Sequence, residues 1–157
     1  MRRDYFELQV ENVDWVDNGG DPRKPTVRIN FRGPEEEFRT QLTGTDEKLL
    51  KAGETDVAFR LQDPIDEDDA AGVVGVTNRI TGDFILELNE DAVDVLKFIR
   101  AAREYGKVSG DHDGRYCVEI NVDGEEIVTY EKSTFLVYDM EGNLIRRESL
   151  IPSGVEL

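Results

Sequence analysis

DFILELNEDAVDVLKFIRAAREYG, residues 83–106, carries two periodicities in succession, and the change between them decides the fold class. DFILELN alternates apolar and polar residues, the two-residue period of a half-buried strand. From Glu90 onward the period lengthens. Ala92, Val95, Leu96, Ile99 and Ala102 fall on one stripe of a helix, which predicts a single long helix over residues 90–106. Asn89 is placed to cap it, Glu90 and Asp91 suit the positive end of its dipole, and Gly106 is placed to end it.

Working outward, the same two-residue alternation recurs along the chain. DYFELQVEN (4–12) sets Phe6, Leu8 and Val10 against Tyr5, Glu7, Gln9 and Glu11. TVRINFR (26–32) turns Val27, Ile29 and Phe31 inward and Arg28, Asn30 and Arg32 outward. After Gly33–Pro34, EEFRTQL (36–42) places Phe38, Thr40 and Leu42 on one face and reads as a further strand. DVAFRL (56–61) and GVVGVTN (72–78) continue the series, the latter forming a hairpin with DFILELN through a turn near Arg79–Gly82. Asp123–Gly124 is a two-residue hairpin signal that requires positive φ, joining RYCVEINV to EEIVTYE. Counting back from it pairs Ile120 with Ile127 and Val118 with Thr129. TFLVYDMEGNLIRRESLIP adds a hairpin turning at Glu141–Asn143. The expectation is an α+β protein of mostly antiparallel β structure. It has about nine strands in a sandwich or barrel-like arrangement, with one long helix packed on them. Length predicts a single domain over residues 1–157, with a subdivision into a β-rich part (1–89) and a helix plus antiparallel meander (90–157) as the alternative.

Acid dominates the composition: 35 Asp and Glu against 19 Lys and Arg, a net charge of −16. The excess runs through every third of the chain, so it is not an acidic tail. Of the bases, 13 are Arg and 6 are Lys. A folded, evenly acidic, lysine-poor surface suits a cytosol of molar salt, where the Debye length falls to about 3 Å and self-repulsion is screened. That points to a haloarchaeal, cytoplasmic protein. No leader peptide or membrane span is read from the sequence, and the lone Cys117 offers no intramolecular disulfide.

SGDHDGRYC (109–117) holds the one histidine and the one cysteine. Asp111, His112 and Asp113 are metal-donor types, but adjacent residues rarely converge on one ion, and the segment reads as a helix-to-strand connection. A His112–Cys117 dyad lacks an activating neighbour, since Cys117 falls within a strand. DPIDEDDAAG (63–72) carries Asp63, Asp66, Glu67, Asp68 and Asp69, a solvated acidic loop or an oxygen-rich ion site. No phosphate loop, HExxH, CxxC or nucleophile-elbow pattern occurs. Neither a catalytic residue, a metal ligand nor a cofactor is assigned.

The departures from the acidic background are basic. Lys97, Arg100, Arg103 and Lys107 share a helix strip bordering the buried stripe, interrupted by Glu104. Arg28 and Arg32 project together from TVRINFR. These six are the candidate partner-binding residues, set against the alternative that they pair with acids of the same chain and complement the helix C-terminus.

MRRDYFELQVENVDWVD (1–17) and FILELNEDAVDVLKFIRAAREYG (84–106) together resemble a family of small acidic haloarchaeal proteins of unknown function, a similarity that runs through most of the chain. It implies a halophilic origin and assigns no activity. VYDMEGNLIRR (137–147) resembles a single unrepeated YD-type unit, in effect a generic hairpin. The functional expectation is a non-enzymatic binding or regulatory module acting through a protein partner, without membrane contact. The alternatives are a nucleic-acid-associated protein using the helix strip and a divalent-metal-dependent enzyme using the 63–69 acids or Asp111–Asp113.

Overall fold

The computed structural model describes residues 5–109 and 115–151. Eight strands run in chain order: β1 (Phe6–Glu11), β2 (Thr26–Phe31), β3 (Thr55–Leu61), β4 (Ala71–Asn78), β5 (Phe84–Asp91), β6 (Tyr116–Val122), β7 (Glu125–Lys132) and β8 (Leu136–Tyr138). Three α-helices accompany them: α1 (Trp15–Asn18), α2 (Glu35–Gln41) and the long α3 (Ala92–Ser109). The strands form two four-stranded sheets, ordered β1-β2-β6-β7 and β5-β4-β3-β8, so the fold is α+β with separate sheets and not a closed barrel.

Each predicted hairpin from the central region is present. β4 pairs antiparallel with β5, β6 with β7, β1 with β2 and β3 with β4. Two pairings are parallel, β2 with β6 and β3 with β8. Alternation cannot reveal these, because a parallel partner lies beyond a long crossover. Between β2 and β6 the chain runs through α2, β3, β4, β5 and α3.

Four local expectations are corrected. Residues 36–42 form helix α2 rather than a strand. Phe38 and Leu42 are both fully buried, and a spacing of four fits one face of a helix as well as one face of a strand. Pro34 before the helix and Glu35, Glu36 and Glu37 in its first turn decide the matter, since anions there meet the positive dipole end. Helix α3 starts at Ala92, because β5 continues through Asn89 to Asp91. It passes Gly106, where a Cβ would stand 2.8 Å from the Arg115 guanidinium Nε. Gly106 thus lets Arg115 pack against the helix and does not terminate it. The arm after Gly142 touches β8 and the residue before it through isolated bridges, Tyr138 with Leu144 and Phe135 with Leu150, and forms no ninth strand among the described residues.

The fourth correction concerns register. Asp123 and Gly124 adopt φ of 49° and 86°, as the two-residue turn requires. Val122 then faces Glu125 and Asn121 faces Glu126, but a bulge makes Ile120 face Val128 and Val118 face Tyr130. The extra residue exchanges the faces of β7. Tyr130 and Lys132 are thereby buried, and Lys132 Nζ donates to the carbonyls of Ala52 and Thr55, each at 2.7 Å. That ammonium ties β7 of one sheet to the start of β3 in the other.

The inward faces of both sheets, α2 and α3 share one hydrophobic core. Phe6, Phe31 and Phe38 cluster at one end, with Phe31 and Phe38 ring centroids 4.3 Å apart. Phe98, Tyr116 and Phe135 cluster at the other. Ala92, Val95, Ile99 and Ala102 of the predicted stripe are buried, joined by Phe98 and Ala101, while Leu96 is half-buried.

Candidate functional site

The six candidate cations are all engaged within the chain. Lys97 reaches Asp14 at 2.9 Å and Asp17 at 3.6 Å, and Arg100 reaches Asp17 at 3.5 Å. These acids sit beside and within α1, so the loop after β1 is fastened to α3 by its charges. Burial slightly opposes the Lys97 charge, but the hydrogen bond to Asp14 outweighs it and raises the ammonium pKa. Arg103 Nη2 donates to the carbonyls of Arg147 and Ser149 at 3.3 and 3.0 Å, and Lys107 pairs with Glu104 at 3.1 Å. On β2, Arg28 lies between Glu119 and Glu11, the latter at 2.7 Å, and Arg32 faces Glu7 at 3.4 Å. The structure therefore brings each cation to a partner of this same chain, and the helix strip and the β2 pair lie on different elements.

Asp111, His112 and Asp113 lie outside the described residues. Cys117 is half-buried beside Glu119, on the face of β6 opposite Val118 and Ile120, and burial pushes its thiol pKa up. A thiol so placed is a poor nucleophile. In the acidic loop, Asp63 Oδ2 accepts from the Ala71 N–H at 3.0 Å, anchoring the entry to β4. Among the described residues no three of His, Cys, Asp and Glu gather in a metal-holding group, and no helix is long and apolar enough to cross a membrane.

The two sheets differ in their outward faces. Outside β1-β2-β6 stand Glu7, Glu11, Arg28, Arg32 and Glu119, a solvated face laced by ion pairs. The outward face of β5-β4-β3-β8 is built differently. Its floor is Ala58, Val73, Gly75 and Thr77, with Gln62 and Glu87 beside them and Glu87 directly opposite Gly75, walled by Phe84 on one side and Tyr138 on the other. Phe84 is 48% exposed, and a Cβ at Gly75 would stand 3.2 Å from its ring. Glycine thus lets the ring lie down over the strand. Arg60 rises from this face beside Val73 and Tyr138 and forms no ion pair among the described residues. Sequence reading passed over this surface because Ala, Gly and Thr between apolar neighbours carry no chemical signature.

A second feature lies between the sheets. The inward face of β1 loses cover along its length: Phe6 is buried, Leu8 half-buried and Val10 41% exposed. Leu8, Val10, Val27 and Ile29 line a narrow cleft open to solvent, whose opposite wall is Val57, Val74 and Val76. Among the described residues its acidic lining is Glu90 and Asp94, at the junction of β5 and α3. Desolvation, then the charges of Asp94 and Asp91, raise the Glu90 pKa.

Fold and surfaces define an α+β protein of two four-stranded sheets that offers an uncovered, small-residue sheet face and an apolar cleft with a carboxylate mouth. The chain belongs to DUF5793, a family of unknown function, which matches residues 1–157. No curated protein and no solved structure matches it.

Proposed function

We propose that this protein is a non-enzymatic binding module of a saline, haloarchaeal cytosol that docks a protein partner on the outward face of the β5-β4-β3-β8 sheet. The observation that supports this reading is the contrast between the two outward faces. A sheet face turned to water is normally polar, as the β1-β2-β6 face is. On a chain of net charge −16, a floor of Ala58, Val73, Gly75 and Thr77 between two aromatic rings, with Glu87 and Arg60 as its charged residues, departs from the acidic background. Small and apolar side chains with aromatic rings at hand belong to the composition of an interface. Arg60, without an ion pair among the described residues, specifies the partner further: an apolar segment carrying a carboxylate. In molar salt, charge steering is short-ranged and apolar contact gains relative weight.

The test is capture from native extract at molar salt after nuclease treatment. Three baits are compared: the wild type, Ala58→Arg with Thr77→Lys, and Arg100→Glu with Arg103→Glu. The expected result is a protein retained by the wild type and the helix variant and lost from the sheet variant. Retention by the sheet variant with loss from the helix variant would move the docking face to α3. Loss of every partner on nuclease treatment would replace a protein partner with nucleic acid.

A further inference from the structure

The cleft between the sheets is a separate site from the proposed docking face, and its chemistry is more specific. Its exposure grades from outside to inside. Val10 and Asp94 are open to solvent and Leu8 and Glu90 are half-buried, whereas Val57, Tyr116 and Phe135 beyond them are buried. The Tyr116 hydroxyl already donates to the Thr134 carbonyl at 2.6 Å, so it presents ring and not hydroxyl. The interior therefore offers no polar contact, and any hydrogen-bonding group of a ligand must sit at the mouth.

The mouth carries one sign of charge. Glu90 and Asp94 line it and Asp91 adjoins it. Neither Glu90 nor Asp94 forms an ion pair among the described residues, unlike Asp14, Asp17, Asp56, Glu11 and Glu119. Holding unpaired like charges beside an apolar wall costs stability.

We propose that the cleft binds an organic ammonium with an aliphatic tail, the tail lying between Val57, Val27 and Phe135 and the ammonium held by Glu90 and Asp94. The order of polarity selects this occupant. A free alkylammonium enters tail first and leaves its charge at the carboxylates. A lysine of a docked protein would enter charge first and bury its ammonium against valine and phenylalanine. A bare divalent cation would leave the apolar walls unused.

Titration calorimetry with hexylammonium, hexanol and hexanoate at one fixed ionic strength tests this, with methyl NMR to locate the ligand. Hexylammonium is expected to bind and shift the Val10, Val27 and Val57 methyls. Hexanol should bind at least about tenfold more weakly, the scale of one charge-assisted hydrogen bond, and hexanoate not at all. Glu90→Gln with Asp94→Asn should lower hexylammonium affinity by about tenfold or more while leaving hexanol binding unchanged. Equal affinity for the three probes, absence of hexylammonium binding, or shifts confined to residues away from the cleft would each overturn the proposal. So would displacement of hexylammonium by calcium or magnesium at constant ionic strength with no shift at the valine methyls, which would make the mouth an ion site alone.

Discussion

Glu90 shows what a single residue contributes and costs. It closes β5 on the inward face, opposite Gly72, and stands between solvent and the apolar cleft. Its folded-state pKa is raised above 4.5, by desolvation first and then by Asp94 and Asp91. A raised carboxyl pKa means that the folded chain holds this proton more tightly than the unfolded chain. The favourable contribution is complete below 4.5 and is lost as pH rises through the folded value, leaving a penalty at neutral pH. Glu90→Gln should therefore raise stability at pH 7 by on the order of 0.5 kcal/mol, the scale of relieving one like-charge pair. The gain should vanish in thermal melts below pH 4.5. A variant that is less stable than wild type at neutral pH would show that Glu90 has a stabilising contact this account lacks. Nothing in DFILELNED distinguishes Glu90 from the other acids of the chain, since its role arises only where β5 ends against the mouth of a cleft.

At the scale of elements, legibility followed periodicity. The turn at Asp123–Gly124, the β4–β5 hairpin and the buried stripe of α3 were readable because each depends on residues near in sequence. EEFRTQL misled because Phe38 and Leu42 satisfy both periods; Pro34 and the three first-turn glutamates favour the helix, and Phe38 then packs among Phe6 and Phe31. Phe38→Ala should cost about 3–5 kcal/mol, as for a large aromatic removed from a core, measured by denaturant unfolding. A cost below about 1 kcal/mol would mean that α2 is not docked as described. The bulge in β7 was invisible for another reason. Ile127 and Val128 are both apolar, so the sequence admits either register, and the burial of Tyr130 and Lys132 follows from the long-range match to β6 and β3. The basic strip on α3 was legible as a pattern, and so was its alternative. Asp14 and Asp17, remote in sequence, are what the fold brings to Lys97 and Arg100.

For the whole molecule, a net charge of −16 is spread over surfaces whose ion pairs are mostly exposed, and exposed pairs contribute little. Self-repulsion should thus outweigh the pairs at low ionic strength. Circular dichroism melts are expected to show the midpoint rising steadily as salt increases from about 0.1 M, where the Debye length is about 10 Å, to about 1 M, where it is about 3 Å. A midpoint that is flat or falls over this range would contradict the halophilic reading of the composition. The same acidity sets off the docking face, where small residues and two aromatic rings surround Arg60 and Glu87. Photo-crosslinking from the two outward sheet faces tests that claim most directly. A crosslinking residue is placed at Thr77 or at Asn30, and native extract is irradiated at molar salt after nuclease treatment. A discrete protein adduct from position 77 and none from position 30 is the expected result, whereas adducts equal at both positions, or absent at 77, would contradict it.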